Sequence, residues 1–118
     1  MNIVDIAESV ARTSTMRQKH SAIIYIFKRN TPRIISFGVN RWAYRGNNGR
    51  IGWTKYSRHA EADAILRCHD RRLFPKSHIY VHRVGGKLAK PCDCCMSLIE
   101  MVGISENNIH WSGNDGNL

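Results

Sequence analysis

The chain has 118 residues, a length that suits one domain spanning the whole of it. Its 18 Lys and Arg against 9 Asp and Glu give a net charge of +9 and a pI near 9.9, which favours an anionic partner over a neutral one. Hydrophobic residues at 42% exclude a disordered chain, and no apolar run approaches the roughly 20 residues of a membrane span, so no membrane partner is expected.

The first elements alternate cleanly. Ile3, Val4, Ile6, Ala7, Val10 and Ala11 recur at helical spacing and predict an amphipathic helix over residues 2–12. The run Ala22-Ile23-Ile24-Tyr25-Ile26-Phe27 is β-branched and aromatic and predicts a buried strand. Asn30-Thr31-Pro32 reads as a turn, and residues 33–39 as a second strand that closes a hairpin. Residues 41–56, rich in glycine and without periodicity, predict a loop. His59 to Cys68 is alanine-rich and helix-forming, and Ile79-Tyr80-Val81 is a short strand. Pro91 opens a third helix with Cys95, Met96, Leu98, Ile99 and Val102 as its apolar stripe, ended by Gly103. Ile109-His110-Trp111 is a last short strand, with a polar tail from about 112. The order predicts an α/β sandwich.

The absence of a basic stretch leading into an apolar block at the N-terminus predicts a cytoplasmic protein, in which the four cysteines are read as metal or catalytic ligands before disulfides. Cys92 and Cys95 have the C-x-x-C spacing that puts two sulfurs on one face of a helix start, where the helix dipole favours thiolates. That spacing alone also fits a redox pair. His59, at the start of the second helix, supplies a third donor suited to zinc, and three protein donors leave a fourth tetrahedral position open, as in catalytic sites. Glu61, two residues on, is a carboxylate placed to move protons without being a ligand. Cys68 is expected to pack in its helix and Cys94 to point away from the metal; His69, His78, His82 and His110 are expected to be surface or core residues.

In these residues the chain resembles the zinc-dependent cytidine/deoxycytidylate deaminase superfamily. The resemblance rests on His59-Ala60-Glu61, on Pro91-Cys92 with Cys95, and on Gly38-Val39-Asn40 at the end of the second strand; the order of elements matches as far as Trp111. The His in the first motif is similar to the deoxycytidylate, riboflavin-biosynthesis and nucleic-acid-editing branches. The resemblance implies a three-layer α/β/α sandwich with a mixed sheet, in a C-terminally minimal form. It implies one catalytic zinc per chain on His59, Cys92 and Cys95, zinc-bound hydroxide as the nucleophile, and Glu61 as the proton shuttle. It also implies that the backbone of Ala60 meets the reacting face of the base and that Asn40 bonds base or sugar; a plainer role for Asn40 is a strand-ending turn. Three features depart from the family pattern. Residues 82–90 form a long basic connection, Lys90 precedes Pro91 where tRNA-editing members have Glu, and the chain stops after the fourth strand. The short end favours a homo-oligomer, since a small chain buries proportionally less surface alone.

Arg41, Arg45, Arg50, Lys55 and Arg58 crowd residues 41–58 without an acid, whereas residues 91–118 hold acids and no Lys or Arg. Trp42, Tyr44, Lys55 and Arg58 interleave aromatics with cations and lead into His59, which predicts stacking on a base with cations on phosphate. The plainer alternative packs Trp42 or Trp53 into the core. The expected activity is hydrolytic deamination of the cytosine base of a nucleotide (dCMP or CMP to dUMP or UMP). The alternative is editing of cytosine or adenine in single-stranded DNA or RNA. A third reading, a non-catalytic zinc module that binds nucleic acid, needs four protein ligands and has no use for Glu61.

Overall fold

The computed structural model describes residues 2–42 and 57–113. Helix α1 (Ile3–Ala11) starts at Asn2, whose side chain accepts a hydrogen bond from the Asp5 N–H at 2.8 Å. Strands β1 (His20–Lys28) and β2 (Thr31–Val39) form the hairpin, and β3 (Arg41–Trp42) pairs with β4 (Ser57–Arg58) in a separate two-stranded ladder. Helix α2 (Ala60–Arg67), strand β5 (His78–Arg83), helix α3 (Asp93–Met101) and strand β6 (Ile109–Trp111) complete the order. The main sheet runs β2-β1-β5-β6 and is mixed: β1 is antiparallel to both neighbours, while β5 and β6 are parallel. Parallel neighbours need a long crossover, and α3 provides it.

Helices cover both faces of this sheet. Alternate residues of the strands separate into two cores. Ile23, Tyr25 and Tyr80 meet Ile3 and Ala7 of α1. Ala22, Ile24, Ile79 and Val81 meet Ala64 and Ile65 of α2 and Ile99 of α3 on the other face. Among the described residues, no helix is long and apolar enough to cross a membrane.

Three expectations need correction. The hairpin turn lies at Arg29-Asn30, both with positive φ (54° and 65°), and not at Asn30-Thr31-Pro32. Positive φ at both central residues is the primed turn that matches strand twist. Thr31 and Pro32 belong to β2, an edge strand, where proline is tolerated. Arg41-Trp42 and Ser57-Arg58 are paired strands within the region expected to be a loop; the rest of that loop, 43–56, lies outside the described residues. Ser112 is not tail. It is 2% exposed; its N–H donates to Val81, its carbonyl accepts from Ala89, and its hydroxyl donates to Lys87 at 2.6 Å.

Two contacts fix α2 on the sheet. A Cβ at Gly38 would lie 2.4 Å from the Ala64 nitrogen, so β2 and α2 approach more closely than any other residue allows. Beside it, the fully buried Asp63 carboxylate accepts from the Val39 N–H at 3.0 Å and pairs with Arg41, Arg58 and Arg67 at 3.0, 2.6 and 3.2 Å. A buried carboxylate is tolerated only when so compensated, and removing one partner of a buried pair costs about 3–5 kcal/mol. Asp63→Ala is therefore expected to lower the urea unfolding free energy by about 3–5 kcal/mol, whereas Arg72→Ala, which breaks the exposed pair with Asp70, should leave it nearly unchanged. Equal effects of the two variants would refute this role for Asp63.

Candidate metal centre

The site is built where two helices begin. His59 is the N-cap of α2 and Cys92 the N-cap of α3; both have extended backbone, and neither side chain caps its helix. An N-cap side chain ordinarily bonds the first turn's free N–H groups. Here the imidazole and the thiol are left available for another partner. Cys95 follows Cys92 by one helical turn and is fully buried. His59 Nδ1 lies 3.2 Å from Cys95 Sγ and 3.7 Å from Cys92 Sγ, and the three donor atoms all fall within 4.8 Å of one another. A tetrahedral ion with zinc-like bond lengths, about 2.05 Å to nitrogen and 2.3 Å to sulfur, would set nitrogen–sulfur edges of about 3.5 Å. The cluster could therefore hold a metal ion with little movement. No other such group of His, Cys, Asp or Glu side chains occurs among the described residues.

Burial pushes the Cys95 thiol far above its ordinary range, with Glu61 and Cys92 adding to the effect. Burial likewise raises the Glu61 carboxyl, which is 6% exposed, and lowers the His59 imidazole, keeping it neutral as a ligand must be. A bound cation reverses this logic for the sulfurs, because coordination strips the thiol proton. Glu61 touches Cys95 but is not one of the clustered donors.

The cluster faces a cavity of about 570 Å³. Asn40, Trp42, Ala60 and Glu61 line it together with His59 and Cys92, so the structure brings most of the expected site residues to one place. Their states differ. Ala60 is fully buried and Trp42 is 61% exposed at the mouth. Asn40 is already engaged: its Oδ1 accepts from Ser14 Oγ at 2.8 Å and from the His20 N–H at 2.9 Å, so it ties the segment before β1 to the end of β2. Arg58 directs its guanidinium to Asp63 at 2.6 Å. Tyr44 and Lys55 lie outside the described residues. Cys94 is exposed and outside the cluster, and Cys68 is buried at the end of α2.

No protein-family model matches the chain, and no curated protein matches it.

The cavity also gathers residues that sequence reasoning passed over. Arg17 reaches it from the connection between α1 and β1, and His20 from the first position of β1. Their polar run, Arg17-Gln18-Lys19-His20, marked only a connection in the sequence. Arg83 and Lys90 line it from the basic connection before α3, so its cations come from both sides, with Glu61 the only acid among the described residues that line it. Purified protein is expected to carry one divalent metal ion per chain by elemental analysis. Cys92→Ser or Cys95→Ser should lose it, and Cys94→Ser should keep it. Full metal content in Cys95→Ser would show that the ion sits elsewhere.

Proposed function

We propose that the chain is a zinc-dependent hydrolase that deaminates the cytosine base of a nucleotide, of the dCMP or CMP type, in a cytidine-deaminase-like α/β/α sandwich. The observation that carries this reading is the pairing of a three-donor cluster, open to a cavity, with a buried carboxylate that is not a donor. A structural site closes with four protein ligands, and a catalytic one keeps a position for water or substrate. One imidazole and two thiols at two helix starts make the donor set one that zinc prefers. A zinc ion there supplies Lewis acidity that brings the pKa of water toward about 7.

The residues of the chain then divide the work. Glu61 takes a proton from the attacking water and delivers it to the leaving amine, and its burial keeps the carboxyl ready to hold that proton. His59, Cys92 and Cys95 hold the ion. The backbone at Ala60 faces the base, and Trp42 offers a stacking surface at the mouth. Arg17, Arg83 and Lys90 join Lys55 as the cations proposed to meet phosphate, whereas Arg58 is engaged by Asp63. Asn40 acts as a positioning residue that holds the segment carrying Arg17.

The exposed Trp42 at the mouth favours a second reading, action on a base within a single strand. Amine release from dCMP, CMP, deoxycytidine and oligonucleotides, measured side by side on zinc-loaded protein, separates the two. The expected order puts the mononucleotides first; turnover of uncharged nucleosides alone would sink the phosphate reading. Glu61→Gln should keep its metal and lose turnover by about 10²–10⁴-fold, and a fully active variant would refute the shuttle.

A further inference from the structure

The two cysteines of the metal cluster differ in a way that holding an ion does not require. All four cysteines of the chain are free thiols, and they fall into three environments. Cys68 is buried at the end of α2, with its Sγ 3.7 Å from the Asp70 carbonyl oxygen. Cys94 is exposed on α3, outside the cluster. Cys92 and Cys95 lie one helical turn apart and bring their sulfurs within 4.8 Å of each other. Their access to solvent is opposite. Cys92 is exposed and lines the cavity, whereas Cys95 is 0% exposed. A small reagent entering the cavity therefore meets Cys92 first, with a second thiol already at hand.

Cys92 also has the surroundings of a thiol that reacts. It stands at the start of α3, and Arg83 and Lys90 line the same cavity. Glu61 is the only acid among the described residues that line it, and it is buried. Exposed cysteines at helix starts beside cations are the ones that oxidants attack, while cysteines packed in apolar surroundings stay inert. An attacked cysteine with a neighbouring thiol ends as a disulfide, and one without such a neighbour is carried on to irreversible acids. The reagent that fits is a hydroperoxide, small and uncharged enough to enter a cavity of about 570 Å³.

We propose that Cys92 and Cys95 form a peroxide-sensitive pair: a hydroperoxide closes them into a disulfide that empties the metal centre, and a dithiol reductant reopens it. The inference rests on the zinc-site part of the proposed function and not on the reaction carried out there. Hydrogen peroxide first transfers one oxygen to Cys92. A sulfur–oxygen bond forms, the oxygen–oxygen bond breaks, and the products are the Cys92 sulfenic acid and one water. Cys95 Sγ then attacks that sulfur. The disulfide bond forms, the sulfur–oxygen bond breaks, and the oxygen leaves as a second water with the Cys95 proton. Two thiols are oxidised and one peroxide is reduced. Metal binding to cysteine needs the thiolate, so the disulfide leaves His59 alone of the three donors.

The test treats the zinc-loaded full chain with hydrogen peroxide, with glutathione oxidised in parallel as a reference thiol. It reads zinc released to a chromogenic chelator, thiols open to alkylation, and linked peptides by mass spectrometry. Each chain should lose its zinc in step with the thiols of Cys92 and Cys95, which appear as one linked pair lacking two hydrogens. Cys68 and Cys94 should still be alkylated, and dithiothreitol with added zinc should restore the starting state. Cys94→Ser should behave as wild type, whereas Cys95→Ser should form no link and carry Cys92 on to the sulfinic or sulfonic acid. Glu61→Gln should oxidise and release zinc as wild type does. Failure of the deaminase reading shows as absent turnover with zinc bound; failure here shows as an unreactive pair in a protein that turns over. A chain that takes up no zinc, a link that includes Cys94, or zinc release with every thiol intact would overturn the proposal. So would zinc and thiols retained at peroxide concentrations that oxidise glutathione, or wild-type Cys92 oxidised to the irreversible acids without a link.

Discussion

One buried carboxylate organises the metal-bearing half of the structure. Asp63 has no solvent exposure, yet it meets the end of β2 through Val39, β3 through Arg41, β4 through Arg58 and its own helix through Arg67. A charge without solvent requires partners, so each of these segments is held at a fixed distance from α2. The helix cannot slide along β2 in any case, since Gly38 leaves no room for a side chain against Ala64. The consequence reaches the site directly. His59 and Glu61 lie at the start of the same helix, and their positions follow from that docking.

The second determinant is the meeting of two helix starts. The positive ends of α2 and α3 converge on one point, and their N-cap positions carry ligands in place of capping side chains. Without a cation, burial favours the protonated forms of the Cys95 thiol and the Glu61 carboxyl. With a cation among them the two thiols become a negatively charged ligand set, supported by the helix ends. The same geometry leaves one side of the cluster facing the cavity, where Arg17, Arg83 and Lys90 stand near the mouth.

Much of this was legible in the sequence, for reasons that are local. The C-x-x-C spacing and a His two residues ahead of a Glu survive translation into structure because each pair sits within one helical turn. The β-branched runs became strands because burial on both faces of a sheet leaves little choice of residue. What escaped was non-local. Asp63, between two alanines in a helix, has the pattern of a solvated residue, and only the packing of β2 on α2 buries it. For the same reason Arg58 reads as a cation for phosphate and Arg41 as part of an unbalanced basic stretch, when the acid that neutralises both lies in α2. Pro32 drew the expected turn forward because Arg29-Asn30 lacks the glycine that usually marks a primed turn. Ser112 looked like tail because its bonds go to residues 81, 87 and 89.

The most direct test of the metal centre is X-ray absorption at the zinc edge of the loaded protein. One nitrogen and two sulfur donors from the protein, with the remaining position filled by a light atom that exchanges with added anions, is the expected result. A closed shell of four protein donors would contradict an open catalytic site, and with it the role given to Glu61.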